Sequence, residues 1–465
     1  MDVQHYDLVV IGGGPAGICG ANTAGLFGKR VALVEKLREV GGAGINTGTI
    51  PSKTLRETAL ALAGVRSRKL FGVDLSLRRE ATIADFMRHK ENVAAQERRR
   101  REEQLRSNNV HIFHGAASFA DPNTVRVGDD TYLRGEKILI ATGSSPVRPP
   151  EFPFEHSSVH DSDEILEIGA LPKTMAVIGA GVIGAEYACT FAALGVEVHL
   201  IDGRDTLLGF LDREISQAIE RAMVEAGVRF LWKEKVTRCE APPEGDVTLT
   251  LTSGATLAVN DVLVAAGRQS NTGDLNLAAA GITPGKRGLI KADGLGRTEV
   301  RHIFAAGDVV GAPALAATGM EQARLAACAA FEIRQKETAA PIFPTGIYTI
   351  PEASMVGETE DALREKNIPY VVGRARYADN PRGQIIGDEH GLLKLLFRRE
   401  DMRLLGVHVV GEQATEVVHI GLIAMLAGVG ASIFNRACFN YPTLGELYKM
   451  ATYEAILRRD GVLPN

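Results

Sequence analysis

Residues Asp7–Glu35 read DLVVIGGGPAGICGANTAGLFGKRVALVE. Asp7–Ile11 is a short apolar run, the kind that fills a strand buried on both faces. Gly12, Gly14 and Gly17 follow as G-x-G-x-x-G. A small-residue segment, ICGANTAGLF, then has the composition of a tightly packed helix, and a second apolar run ends at Glu35. Together these make a dinucleotide-binding unit. The glycines let the turn tighten and let the backbone approach a pyrophosphate at the helix N-terminus. Glu35 is placed to accept from a ribose hydroxyl. The pattern predicts an α/β fold built on a parallel sheet.

The unit occurs twice. Met175–Asp202 reads MAVIGAGVIGAEYACTFAALGVEVHLID, with Gly179, Gly181 and Gly184 in the same pattern. Gly179 and Asp202 are separated by the same interval as Gly12 and Glu35. Two matching units imply two dinucleotides. At the second acidic end, Asp202 favours the free 2′-hydroxyl of NAD. Arg204, two residues on, is placed to pair with the 2′-phosphate of NADP. Having both suits a site that takes either nucleotide.

The rest of the composition narrows the class. A chain of 465 residues has room for several domains and a large core. Hydrophobic content of 45% and charged content of 23% are ordinary for a globular protein. A formal charge of −5 argues against a dedicated nucleic-acid binder. The longest apolar stretch, Val417–Phe434, contains His419 and several glycines, so it reads as a buried helix pair and no membrane association is expected. The opening MDVQHYDLVVIGGG enters a strand with no signal pattern. Cys19, Cys189, Cys239, Cys328 and Cys438 have neither CxxC nor zinc-ligand spacing. Free thiols, no metal and a cytoplasmic location are therefore expected. Residues 54–110 read as helical, and their charge run Glu97–Glu103 (ERRRREE) as a solvated helix face. Val110–Ile138 alternates like a small antiparallel sheet, with turns at Asp121-Pro122-Asn123 and Asp129-Asp130.

Gly41–Lys53 reads GGAGINTGTIPSK, and Pro51 suits a first helical turn, where its missing N–H has no helical partner. This stretch resembles the active-site helix of the flavoprotein disulfide reductases. In that family two cysteines, with four residues between them, precede Pro-Ser-Lys. Here Gly44 and Thr49 stand at those positions. The resemblance continues along the chain. Ala141-Thr142-Gly143 is similar to the motif that leaves the flavin domain, and Ala266-Gly267-Arg268, with Asn271, to the exit from the nicotinamide domain. Ile303–Gly311 (IFAAGDVVG) is similar to the second flavin motif. After about Pro341 come alternating strand patterns, then helices after Gly411.

The resemblance implies two Rossmann-like dinucleotide-binding domains, one for FAD (residues 1–150 and 275–340) and one for NAD(P) (residues 151–274). An α+β interface domain, residues 341–465, would dimerise the chain. Gly42, Thr142, Gly143 and Asp308 would join the first glycine motif around FAD. Ala317 would sit in the first turn of a helix whose positive end faces the flavin pyrimidine. Gly267 would lie at the nicotinamide side.

The resemblance also implies roles for the chemistry. Lys53 and Glu186 would meet beside the flavin, where hydride arrives, and their field could favour reduced, anionic flavin. A disulfide reductase passes electrons through a dithiol. Thr49 forms no thiolate and Gly44 has no side chain. Phe439-Asn440-Tyr441-Pro442-Thr443, with Glu446, corresponds to a His-x-His-Pro-Thr segment and its orienting glutamate. Tyr441 replaces the proton-shuttling histidine, and a tyrosine is a poor thiol base at neutral pH. Cys438 reads as a packing residue. The expected activity is hydride transfer between NADPH and NAD⁺ through FAD, with NAD(H) and NADP(H) as substrates. A diaphorase or quinone reductase, and a non-catalytic FAD-bound subunit, are the alternatives.

Overall fold

The first apolar run forms β1 (Val3–Ile11), followed by α1 (Pro15–Leu26) and β2 (Val31–Glu35). The computed structural model describes residues 3–67, 83–335 and 338–464. All five residues of β2 are buried, as a strand covered on both faces requires. The glycine-rich loop winds through one π-type turn, Ala43–Thr47, into α2 (Thr49–Ser67), with Pro51 in its first turn. α3 (Ile83–Ser107) carries the ERRRREE run, where Arg101 pairs with Glu97 at 2.5 Å and Arg98 with Glu39 at 2.9 Å. Between these helices, residues 68–82 of the expected helical stretch lie outside the described residues.

Four strands follow: β3 (Val110–His114), β4 (Ala117–Asp121), β5 (Thr124–Val127) and β6 (Thr131–Ile140). Here one expectation is corrected. Only β4, β5 and the first part of β6 form the antiparallel sheet, whereas β3 pairs parallel with β2. The reason is α3: a helical crossover returns the chain in the same direction and sets the next strand parallel.

From β6 the chain passes through β7 (Ser144–Pro146) to β8 (Val159–Asp161), β9 (Thr174–Ile178), α4 (Val182–Ala193), β10 (Glu197–Asp202), α5 (Arg213–Glu225) and β11 (Arg229–Trp232). An antiparallel trio, β12 (Val236–Glu240), β13 (Val247–Leu251) and β14 (Thr256–Val259), precedes β15 (Asp261–Val264). The second sheet has the order β11-β10-β9-β15-β8 and is parallel at each of its pairings. β16 (Arg268–Ser270) then pairs with β7, β17 (Ile303–Ala305) adds to the end of β6, and α6 (Ala316–Ala330) follows.

Both sheets reverse their winding at a strand followed by a glycine turn: β1 beside β6, and β9 beside β15. Crevices at such reversals are where open α/β sheets bind ligands. The turns are packed alike. A Cβ on Gly17 would lie 1.8 Å from the Gly12 carbonyl oxygen, and one on Gly184 1.8 Å from that of Gly179. Only glycine permits this approach of helix to strand.

The last unit is β18 (Thr345–Ile347), β19 (Ala353–Gly357), α7 (Glu360–Glu365), β20 (Tyr370–Arg376), α8 (Pro381–Ile386), β21 (Leu392–Arg398), β22 (Leu404–Val410), α9 (Ala414–Leu426), α10 (Ala431–Arg436) and α11 (Leu447–Arg459). Its sheet is antiparallel, ordered β18-β19-β22-β21-β20. The apolar stretch Val417–Phe434 divides between α9 and α10, and no helix among the described residues is long and apolar enough to cross a membrane. One hydrophobic core runs across all three units, with Leu55 of α2, Phe191 of α4 and Ile347 of β18 in it. A buried ion network adds a second tie: Lys394, 2% exposed, reaches Asp212 at 2.8 Å, Glu214 at 3.1 Å and Glu360 at 2.5 Å.

Candidate active site

The two glycine turns present matching anion sites. Gly12 and Gly179 take φ of +106° and +109°, which an L side chain resists. Gly14 and Gly181 cap their helices with nearly identical backbones, φ −79° and ψ −175° against φ −80° and ψ −176°. Neither cap supplies a side-chain acceptor, so the first-turn N–H groups of α1 and α4 are open to a pyrophosphate.

The acidic ends differ. Glu35 Oε2 accepts from the Gly13 N–H at 2.8 Å and Oε1 from the Leu37 N–H at 2.9 Å, which leaves each oxygen acceptor capacity for a ribose. Asp202 Oδ2 accepts from the Ala180 N–H at 2.7 Å and from Arg204 Nη2 at 2.7 Å. Its Oδ1 accepts from the Arg204 N–H at 2.8 Å and from Arg204 Nε at 2.9 Å. Arg204 thus folds back and fills Asp202. Burial alone would raise the Asp202 carboxyl, but the guanidinium and the two backbone N–H groups bring it down to about 2.

The first crevice fits a flavin dinucleotide. Thr142 Oγ1 is buried there without a hydrogen-bond partner, next to the Gly12 turn. Gly42, at φ +50°, brings its loop against Gly14, where a Cβ would lie 2.8 Å from the Gly14 Cα. At Gly143 a Cβ would meet open space, as it would at Gly181 and Gly267 in the second unit. Asp308 is held by Ser144, whose Oγ donates to its Oδ2 at 2.5 Å while accepting from Arg268 Nε at 2.9 Å. Ala317 is exposed in the first turn of α6, and the cap residue Leu315 provides no side-chain bond.

Lys53 of α2 and Glu186 of α4 meet, Nζ to Oε2, at 2.6 Å. They form an ion pair between the two units. Thr49 is exposed at the start of α2. Gly44 is buried, and a Cβ there would lie 2.3 Å from Pro15 Cγ, so no side chain fits without movement. All five cysteines are free. Tyr441 is 71% exposed, and Glu446 is half-buried at the start of α11. Among the described residues, no hydrogen bond or ion pair joins either of them to Lys53, Glu186 or Thr49.

Three further participants were given no role at the ion pair by the sequence. The Tyr348 N–H donates to Glu186 Oε1 at 2.8 Å, and Lys53 Nζ lies 4.8 Å from the centre of the Tyr348 ring. Arg56, buried on α2, donates to the Thr349 carbonyl at 3.0 Å. Arg268 ties the two units through Ser144 and, at 3.2 Å, Asp163. A signal was present for Arg268, in the Ala266-Gly267-Arg268 motif, and for Tyr348, within the PTGIYTIPE stretch (Pro344–Glu352). A motif marks a stretch without telling which of its atoms reach across the fold.

Two nucleotide crevices that share one buried-edge ion pair define an oxidoreductase that brings a nicotinamide to a second dinucleotide. The chain belongs to the pyridine nucleotide-disulphide oxidoreductase family: residues 6–323 match that family and residues 343–452 match its dimerisation domain. It is 45% identical over 459 residues to the soluble pyridine nucleotide transhydrogenase of Mycobacterium tuberculosis, covering 98% of each chain. It is 40% identical over 461 residues to the protein of the same name from Yersinia pestis, again covering 98% of each. Among solved structures it is similar to the HOCl-induced flavoprotein disulfide reductase RclA from Escherichia coli, with a TM-score of 0.87 and 28% identity over 96% of this chain and 99% of that one.

Proposed function

We propose that the protein transfers hydride between NADPH and NAD⁺ by way of tightly bound FAD, taking the two nicotinamide nucleotides in turn at one site. The observation that carries this reading is the Lys53–Glu186 pair between a flavin-type crevice and a nicotinamide-type crevice, with Gly44 and Thr49 in place of thiols. The names of the full-length relatives support it. When bound, the flavin supplies a group that accepts and returns hydride.

The chain's own residues bind and orient. The α1 N-terminus and Glu35 hold the adenine-side phosphates and ribose of FAD, and Thr142 gives its free hydroxyl. The α4 N-terminus holds the nicotinamide nucleotide's pyrophosphate. Lys53 keeps a positive charge at the flavin edge, and Glu186 fixes its direction. Arg204 turns to a 2′-phosphate when NADPH binds and leaves Asp202 to the ribose diol when NADH binds. We take residues 1–150 with 275–340, 151–274 and 341–465 as the FAD, NAD(P) and interface domains. The interface domain makes a homodimer in which Tyr441 and Glu446 face the partner's flavin. The compartment we infer is the cytoplasm.

Steady-state transfer from NADPH to a thionicotinamide analogue of NAD⁺ tests the reading. One shared site gives ping-pong kinetics with parallel double-reciprocal lines and competitive inhibition by the second nucleotide. Reductive titration should take two electrons per subunit, since flavin is the only store. Intersecting lines, uptake of four electrons or rapid turnover of a disulfide would overturn it. Faster turnover with quinones than with any nucleotide acceptor would favour the diaphorase alternative.

A further inference from the structure

Three units converge on the ion pair, and the third contributor is the last unit, through Tyr348 just after β18. Glu186 uses both oxygens: Oε2 takes Lys53 at 2.6 Å and Oε1 takes the Tyr348 N–H at 2.8 Å. Among the described residues, Lys53 Nζ has one other hydrogen-bond contact, a long one of 3.4 Å to Ser52 Oγ. The face of the Tyr348 ring, 4.8 Å away, covers the ammonium on another side. An aromatic face attracts a cation without taking its proton or neutralising it.

The Tyr348–Thr349 segment is itself flanked on two sides. The Tyr348 hydroxyl lies near the Thr415 side chain, whose Oγ1 donates to the buried Glu352 at 2.6 Å. Glu352 also accepts from the Gln413 N–H at 2.7 Å, at the start of α9. On the other side, Arg56 donates to the carbonyl of the next residue, Thr349. Lys53 and Arg56 are three apart on α2 and therefore share a face. α2 thus grips the Tyr348–Thr349 segment at two points, one through a ring and one through a carbonyl.

We propose that Tyr348 is a positioning residue for the Lys53–Glu186 pair, and that its ring holds the lysine's charge at the flavin edge. The proposal rests on the reading of the preceding subsection. Lys53 confined there stabilises the negative charge of reduced flavin, so the ring raises the flavin's reduction potential through Lys53. Without the ring the ammonium keeps Glu186 but loses its aromatic cover, and water and rotation weaken its field at the flavin.

The test is the midpoint potential of the holoenzyme's flavin, measured against a reference dye. Tyr348→Leu removes the ring and leaves the backbone bond to Glu186. It should weaken the preference for reduced flavin on the order of tenfold, ~30 mV for a two-electron couple. Tyr348→Met, with a flexible chain of useful volume, serves the same purpose should the leucine variant not fold. Tyr348→Phe keeps the ring and should shift the potential less than either; an equal shift would overturn the assignment to the ring. Lys53→Met separates the two ideas. If it leaves the potential unchanged, Lys53 is not at the flavin and the reading fails together with the proposal. If it lowers the potential while the leucine and methionine variants of Tyr348 match the wild type, the proposal alone is overturned.

Discussion

At the residue scale, the proposed nucleotide choice rests on the way Arg204 lies. All the acceptor directions of Asp202 are filled, two of them by the guanidinium and two by backbone N–H groups. A ribose diol must displace Arg204 to reach the carboxylate, and a 2′-phosphate must draw Arg204 away from it. The guanidinium is largely exposed, so its contact with phosphate is partly screened and worth ~1–2 kcal/mol, on the order of tenfold in affinity. Arg204→Ala should therefore raise KM for NADPH about tenfold and lower that for NADH, because Asp202 becomes free. Equal changes for both nucleotides would remove Arg204 from the specificity site. Gly44 works at the same scale. Its contact with Pro15 lets the loop lie directly on the first glycine turn, in the place where a cysteine side chain would otherwise need room.

At the element scale, the N-terminus of α5 is anchored to the last unit's sheet through Lys394. Asp212 caps α5, and Lys394 sits among Asp212, Glu214 and Glu360, with Arg374 on Glu214 at 3.0 Å. The three carboxylates are grouped closely enough to hold a metal, but the ammonium already takes the cation's place. Lys394→Met would leave buried carboxylates without their counter-charge and should destabilise the fold by ~3–5 kcal/mol, read as the loss in denaturant midpoint. The pH dependence follows from the shifts. Burial would raise the carboxyls of Asp212, Glu214 and Glu360, yet their cationic partners hold all three below the ordinary range. Their contribution is present above the unfolded values and is lost as pH falls through the lower, folded ones. Burial would lower the Lys394 ammonium, but its carboxylates raise it, so its contribution persists until strongly alkaline pH. His408, buried beside Asp212, Lys394 and Glu360, is lowered from 6.5, chiefly by burial. The unfolded chain then binds the proton more readily, and stability should drop as pH falls below about 6.5. Melting temperatures from pH 8 to pH 5 check this: His408→Gln should flatten the decline between pH 6.5 and pH 5, and an unchanged slope would discount His408.

At the scale of the whole molecule, the third unit bears large apolar side chains on its surface: Ile423 and Leu426 on α9, Tyr453 and Leu457 on α11, and Val462. Tyr441 is exposed near them in sequence. Ile423, Leu426 and Tyr441 fall within the match to the family's dimerisation domain, where a partner subunit would cover such side chains. Light scattering should give the mass of a homodimer. Ile423→Glu together with Leu426→Glu should dissociate it, with transfer between nucleotides lost and the yellow colour kept in each separated chain. A dissociated, fully active variant would remove the partner's Tyr441 and Glu446 from the reaction.

The sequence alone determined what local chain geometry can encode. Glycines at Gly12, Gly14 and Gly17, repeated at Gly179, Gly181 and Gly184, force the tight turn from strand to helix wherever they occur between such elements, and Glu35 and Asp202 follow at a fixed strand length. The helix after Gly48, the helices of Val417–Phe434 and the strands after Pro341 are legible for the same reason, through apolar spacing and turn residues. Packing decided what depends on distant partners. β3 became parallel because a helix separates it from β2. Arg204 turned onto Asp202, a choice of rotamer that the order of residues leaves open. Lys53 met Glu186, 133 residues away, as the resemblance alone had implied, and Glu186 met Tyr348, 162 residues further on, which nothing in the sequence implied. Local propensity fixes where a side chain leaves the backbone, but only the packing of the three units fixes which charges and rings come within a few ångströms of one another.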